Sequence, residues 1–406
     1  MTSSARIPRP WLMLAVGVFA QASATVVVTA PAFFIPFLHT RRGFSLIEAG
    51  TLAAAPNLGL VLTLVLWGWI VDRRGERWVL TLGMAATALI TGAAVLVAGT
   101  PTPSFAALFL LFLLAGAATA SANSASGRVV VGWFPRERRG LAMGIRQTCQ
   151  PLGVAAAALA VPALIAGGSL APALVLCAAL VALSALLCWA VIVDPPRPPR
   201  PAPQGAPAAN PYRSSGVLWR IHAASALLVV PQFTLTTFGL VWLMADQGWG
   251  ALAAGVLVAV AQFLGALGRI GVGVLSDRVG SRLRPLRWVA VAGILALIVM
   301  AAAGAAHWPW AVALSYVLAS CIAVADNGLA FTSVAELAGP HWSGRALGAQ
   351  NTGQFLAAAF VGPVIGALIA AVGYQWAFFL IALAPAAALP VVPRPAVERE
   401  PADSPA

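Results

Sequence analysis

The chain contains no lysine; all 24 of its basic residues are arginines. That absence excludes Schiff-base catalysis, which needs a lysine amine. It also excludes an ATP-binding P-loop, whose G-x-x-x-x-G-K-[ST] pattern requires one, so any work must draw on gradients. Charge of either sign is scarce, 9% of the 406 residues against about 25% in an ordinary soluble domain. A water-soluble enzyme is thereby excluded. Cysteine is rare too: Cys149, Cys177, Cys188 and Cys321 stand in apolar stretches without C-x-x-C or histidine-partnered spacing. Neither a disulfide framework nor a metal site is expected, and the thiols read as buried. His39, His222, His307 and His341 fall at or near segment ends, so no intramembrane histidine relay is evident. With no nucleophile–base constellation either, the chain reads as a non-enzyme without a cofactor.

What is present is apolar: 60% of the residues, with a mean hydropathy of +0.90. A membrane span needs about 20 mostly apolar residues. Twelve runs qualify, roughly 11–38, 46–71, 78–99, 104–132, 140–167, 170–193, 216–244, 251–275, 286–306, 308–334, 343–371 and 374–393. The N-terminal run faintly resembles a signal peptide but continues to Leu38, long enough for a retained first helix. The longest break, 194–215, carries eight prolines and reads as a semi-extended cytoplasmic linker. The expected organisation is an N-terminal six-helix bundle (1–193), that linker, a C-terminal bundle (216–393) and a disordered cytoplasmic tail (394–406).

A net charge of +12 would suggest nucleic acid in a soluble protein. Here the arginines punctuate the apolar runs, so the partner they indicate is the lipid bilayer. With the N-terminus inside, nineteen arginines fall in cytoplasmic segments and two, Arg41 and Arg42, outside. The positive-inside rule then places both termini in the cytoplasm, with an inner-membrane location. Trp11, Trp78, Trp133, Trp219, Trp288 and Trp342 sit near segment ends, as interfacial anchors do.

The two halves repeat in parallel. Gly68-Trp-Ile-Val-Asp72-Arg73-Arg74-Gly75-Glu76-Arg77 returns 205 residues later as Gly273-Val-Leu-Ser-Asp277-Arg278-Val279-Gly280-Ser281-Arg282. Gly144-Ile-Arg146-Gln147-Thr148-Cys149-Gln150 matches Gly348-Ala-Gln350-Asn351-Thr352-Gly353-Gln354 at 204, and Asn57 matches Gln262 at 205. Parallel six-helix halves place a substrate site between them near the midplane.

With its doubled G-x-x-x-D-R-x-G-x-R loop, the chain resembles the major facilitator superfamily over essentially its whole length. The resemblance implies an all-α fold of twelve transmembrane helices in two parallel-repeat bundles, and secondary transport by alternating access. It implies a gating role for Asp72, Arg73, Arg77, Asp277, Arg278 and Arg282. Asp72 would cap span eleven and Asp277 span five, while the arginines bridge neighbouring cytoplasmic ends. A carboxylate at a helix N-terminus is physically favourable; static loop glue is the alternative. The run Trp133-Phe134-Pro135-Arg136-Glu137-Arg138-Arg139-Gly140-Leu141-Ala142 looks like the start of span five in groups carrying monocarboxylate, oxalate/formate, nitrate or cyanate. Gly268-Arg269 resembles the span-eight arginine of the carboxylate carriers. The G-P-x-x-G-G run of drug–proton antiporters is missing, and Pro151-Leu152-Gly153-Val154 stands in its place.

Three arginines remain inside spans: Arg128, Arg146 and Arg269. A charge at the bilayer centre costs at least ~2.5–3.5 kcal/mol on insertion scales, so such groups face a cavity or a partner. Asp326 lies about 15 Å deep, judged by helical rise from Glu336. Arg128 reads as a snorkelling or gating residue, or as a ligand on the wet stripe Ser121, Ser124, Arg128. Arg269 is placed to grip a carboxylate bidentately or to form a structural pair. Arg146 has a neutral repeat partner, Gln350, which argues against a purely architectural role. Asp326 pairs with one of these arginines or carries a coupling proton. Asn57, Gln262, Asn351, Thr352, Gln21 and Gln232 are candidates for the cavity lining or for interhelical hydrogen bonds. The expected activity is transport of a small, monocarboxylate-like anion by a monomer, with protons as the candidate coupling partner. The alternative is proton-coupled efflux of hydrophobic or cationic compounds.

Overall fold

Inside a bilayer a backbone cannot bond to water, so a spanning segment rich in alanine, leucine and valine closes its own hydrogen bonds as a helix. The structure, a computed structural model, describes residues 9–100, 103–195 and 210–398. Among them every regular element is helical. The first seven are α1 (Pro10–Arg42), α2 (Leu46–Arg74), α3 (Glu76–Ala98), α4 (Phe105–Trp133), α5 (Arg136–Arg146), α6 (Cys149–Ile165) and α7 (Ala171–Val191). A single turn, α8 (Pro211–Ser214), precedes α9 (Val217–Ala245), α10 (Ala251–Val279), α11 (Leu283–Ala305) and α12 (Pro309–Ala323). The last are α13 (Asp326–Ala338), α14 (Ser343–Ile381) and α15 (Leu383–Val391).

Eleven helical stretches among the described residues are long and apolar enough to cross a membrane. The last, Ser343–Val391, has 49 residues, about 74 Å of helix against a hydrocarbon core of about 30 Å. It breaks at Gly373, whose φ of 78° and ψ of 170° are open only to glycine. It therefore supplies two spans, and the twelve runs of the sequence are accounted for.

Two spans that read as continuous are interrupted. Span five breaks between α5 and α6 at Gln147 and Thr148, and span ten between α12 and α13 at Val324 and Ala325. Pro151 explains the first: it has no N–H for the carbonyl four residues back, that of Gln147. At the second stand Asp326, Asn327 and Gly328, poor helix formers whose side chains compete for backbone bonds.

Internal contacts divide the chain into two compact units, residues 1–134, 148–199 and 340–349 in one and 135–147, 200–339 and 350–406 in the other. This differs from the expected division at 193 and 216 by two short exchanges. The start of span five groups with the second unit and the start of span eleven with the first. Of the linker, 196–209 lies outside the described residues. The expected disorder from 394 needs correction over the first residues: Pro395–Glu398 form a 3-10 turn held by Glu398, and residues 399–406 lie outside the described ones.

In the first unit α2 and α4 cross so closely that a Cβ on Gly116 would lie 1.9 Å from the Pro56 carbonyl oxygen, and one on Gly59 1.9 Å from that of Leu113. The second unit centres on Trp242, fully buried with its ring edge-on to Phe378 at 5.0 Å. Gly116→Ala must therefore separate two backbones and is expected to cost about 1–3 kcal/mol. Gly255→Ala on α10, where an added Cβ meets nothing within 4 Å, should leave the thermal midpoint in detergent unchanged or slightly raised.

Candidate functional site

The two repeated loops end α2 and α10 with an aspartate. Asp72 is 4% exposed and accepts from the backbone N–H groups of Gly344 (2.8 Å) and Arg345 (3.1 Å), at the start of α14. The Arg345 guanidinium adds a bond at 2.9 Å through Nε. Asp277 accepts from the N–H groups of Gly140 (2.9 Å) and Leu141 (2.8 Å) in α5. Here the helix is already one turn old, because it starts at Arg136. Glycine makes both approaches possible: a Cβ on Gly68 would meet the Gly344 carbonyl oxygen at 2.3 Å, and one on Gly140 that of Gly273 at 2.3 Å.

The repeat is not symmetric in its arginines. In the second unit Arg282 reaches Asp277 at 2.5 Å, Ser276 at 2.7 Å and Glu336 at 3.5 Å, and Arg139 reaches Glu336 at 3.3 Å. In the first unit its counterpart, Arg77, turns instead to the carbonyl of Trp189 at 3.1 Å. Arg128 takes that place, paired to Asp72 and, at 2.6 Å, to Glu76. It is 4% exposed, so the snorkelling reading is corrected: two buried carboxylates hold it. Arg73 stacks on Trp69 at 3.8 Å, and Arg278 is exposed.

Two further acids were not read from the sequence. Asp194 accepts the backbone N–H of Arg77 at the start of α3 (2.9 Å). Glu398 accepts those of Arg282 (2.7 Å) and Leu283 (3.1 Å) at the start of α11. They lie 204 residues apart, the offset of the repeat itself, and that spacing was the available signal.

A second cluster occupies the middle of the second unit. Arg146 is 1% exposed, donates to Gln147 Oε1 at 3.2 Å and has its guanidinium 5.4 Å from the centre of the Phe331 ring. Arg269, 5% exposed, donates to the Gln147 carbonyl oxygen at 2.6 Å. That oxygen is the one Pro151 leaves without a helical partner. Asp326, 1% exposed, begins α13; its oxygens make no hydrogen bond of ordinary geometry. Its favourable neighbours are the Arg269 guanidinium and the N–H groups of the first helical turn. It lines a cavity of about 10 Å³, at the threshold for one water, whose other walls are apolar.

Beside it runs a neutral ladder. Asn327 donates to Gln232 (2.7 Å), and Gln354 donates to Asn327 (2.8 Å) and to Ser225 (2.8 Å). Gln350, the repeat counterpart of Arg146, lies 2.5 Å from Nδ1 of His222, whose Nε2 meets the Tyr212 hydroxyl at 2.8 Å. Asn351 is buried and Thr352 half-buried on the same helix, whereas Asn57 on α2 and Gln262 on α10 lie exposed. With Arg128 paired to Asp72 and Glu76, the three arginines counted inside spans leave two guanidiniums beside the carboxylate of Asp326.

Removing Arg128 would leave Asp72 and Glu76 charged and buried. Arg128→Gln is expected to destabilise the protein by about 3–5 kcal/mol, with part restored in the double variant Arg128→Gln/Glu76→Gln. Thermal unfolding in detergent measures both.

Residues 17–361 match the family described as the Major Facilitator Superfamily. An uncharacterized MFS-type transporter of Mycobacterium tuberculosis is 46% identical over 383 residues, 94% of this chain and 84% of the relative. A hexuronate transporter of Bacillus subtilis is 24% identical over 257 residues, 60% of this chain and 59% of that one. Among solved structures, the fucose:proton symporter FucP of E. coli superimposes with a TM-score of 0.75 at 15% identity, covering 93% of this chain and 97% of its own. The human organic anion transporter MFSD10 gives 0.72 at 17% identity, covering 95% and 100%. Two loop aspartates bonded to backbone N–H groups in the first turns of α14 and α5, a twelve-span helical chain and these matches lead to one conclusion: the chain belongs to the major facilitator superfamily, a multi-pass secondary transporter and not an enzyme.

Proposed function

We propose that this transporter carries a small carboxylate-bearing anion together with a proton, and that Arg146, Arg269 and Asp326 are the groups that bind them. The observation that carries this reading is the pair of buried guanidiniums joined through Gln147 at the break in span five, with one carboxylate beside them. Two positive charges against one negative favour an anion in a low-dielectric setting, and a guanidinium fork matches a carboxylate. Asp326 couples the two ligands by competition. As a carboxylate it engages Arg269 electrostatically; with a proton on one oxygen it releases that guanidinium to the substrate. Proton and anion then enter together with no change in the charge of the site. The named substrate of the hexuronate relative is a sugar carboxylate, which supports the same chemistry.

In this reading the protein works as a monomer in the inner membrane with both termini in the cytoplasm, where the arginine-rich loops lie. Its two six-helix bundles alternate access to the site. Asp72 and Asp277, with Arg73, Arg77, Arg278 and Arg282, then act as conformational contacts that form and part during the cycle. Asn57, Gln262, Asn351 and Thr352 contribute to the wall of the path.

Uptake of labelled monocarboxylates and hexuronates into proteoliposomes, with and without an imposed pH gradient, tests the proposal. Arg269→Gln and Arg146→Gln should each lower uptake at least tenfold; about 1.4 kcal/mol of lost binding corresponds to tenfold. Asp326→Asn should abolish acceleration by the pH gradient while sparing exchange of the anion at equilibrium. Uptake by Arg269→Gln at the normal rate would sink the anion-grip idea. Transport of hydrophobic cations, but of no anion, lost in Asp326→Asn, would establish efflux instead.

A further inference from the structure

In the first unit α3 and α7 pack along one another, yet one side of their seam is hollow. Alanine and glycine cause this: Ala85, Ala88 and Gly92 on α3 face Ala178, Ala182 and Ala185 on α7. The result is an open trough of about 790 Å³ with an almost wholly apolar lining. Its rim is built from larger side chains that point outward, Leu89 at 76% exposure and Leu186 at 64%. In a chain that spans a bilayer, such a trough faces acyl chains.

One end of the trough is different in kind. Trp189 and Thr81 close it, and Arg77 stands there, one helical turn before Thr81. Its Nε–H donates to the Trp189 carbonyl oxygen, and its guanidinium carbon lies 5.9 Å from the centre of the Trp189 ring. The nearby acid, Asp194, accepts the backbone N–H of Arg77. Among the described residues no further hydrogen bond is made by that guanidinium. Arg74 and Trp78, both exposed, lie on either side in the sequence. A cation and an amphipathic ring at the end of an apolar trough match the phosphate and acyl chain of a phospholipid.

We infer that the α3–α7 trough is a binding site for one anionic glycerophospholipid, with an acyl chain lying along the alanine and glycine faces and the phosphate held by Arg77. Charge favours lipid over a second copy of the chain. Two copies in one membrane share an orientation, so a two-fold contact through this trough would set Arg77 and Arg74 against their own equivalents. Like charges at matching depth oppose that pairing. A lipid phosphate meets the same arginines with the opposite sign.

Native mass spectrometry of the full chain in detergent, titrated with phosphatidylglycerol or with phosphatidylcholine of the same acyl chains, tests the site. The wild type should hold one phosphatidylglycerol at least fivefold more tightly than phosphatidylcholine. Arg77→Gln should remove that preference, and Arg77→Lys, which keeps a point charge, should retain most of it. Ala182→Phe, which fills the trough from a half-buried position on its wall, should weaken both lipids at this site while leaving the thermal midpoint of lipid-free protein unchanged. Equal retention of the two lipids by the wild type would overturn the inference. So would unchanged phosphatidylglycerol binding in both Arg77→Gln and Ala182→Phe, or a dimer that Ala182→Phe dissociates.

Discussion

A charge taken out of water has to find its counter-charge inside the protein, and in a chain that is 9% charged this constraint governs where the buried ionic groups go. Helix N-termini extend it, because their unbonded N–H groups act as diffuse positive charge. The result is a small set of neutral assemblies. Asp72 and Glu76 face Arg128 and Arg345; Asp277 and Glu336 face Arg282 and Arg139; Asp194 and Glu398 each end on a helix start. Each assembly lets the chain bring backbones together where glycine allows it, and those crossings determine which segments group into which unit.

One cluster does not follow this pattern. Around the break in span five, two guanidiniums stand near a single carboxylate that lacks ordinary hydrogen bonds. The breaks that build it are local. A proline frees one carbonyl for Arg269, and an Asp-Asn-Gly run starts a new helix whose first turn faces the carboxylate.

Much of the fold was legible because it rests on patterns that are local in the chain. Twelve apolar runs gave the twelve spans, and the doubled aspartate loop pointed to the helices that Asp72 and Asp277 meet, at the start of α14 and one turn inside α5. The site was most legible in its charged members. Arg146, Arg269 and Asp326 stood out because charge inside an apolar run is costly. Gln147 and Gln354 did not, because an amide in a span carries no such penalty and its partners lie far along the chain. Arg128 shows the limit most clearly. Its depth could be counted, but its partners on α2 and α3 are 56 and 52 residues away, and depth alone could not separate a snorkelling arginine from a buried one.

The sequence by itself determined that this chain crosses a membrane, how often it does so, that its halves are repeats, and which charges lie within the spans. All of these follow from hydropathy and spacing, which need no knowledge of neighbours. Only the tertiary structure decided which arginine answers which carboxylate, that Arg77 leaves the repeat's pattern while Arg282 keeps it, and that spans five and ten are broken. The reason is physical: a side chain's electrostatic energy depends on the groups within a few ångströms of it, and packing, not chain order, chooses those groups.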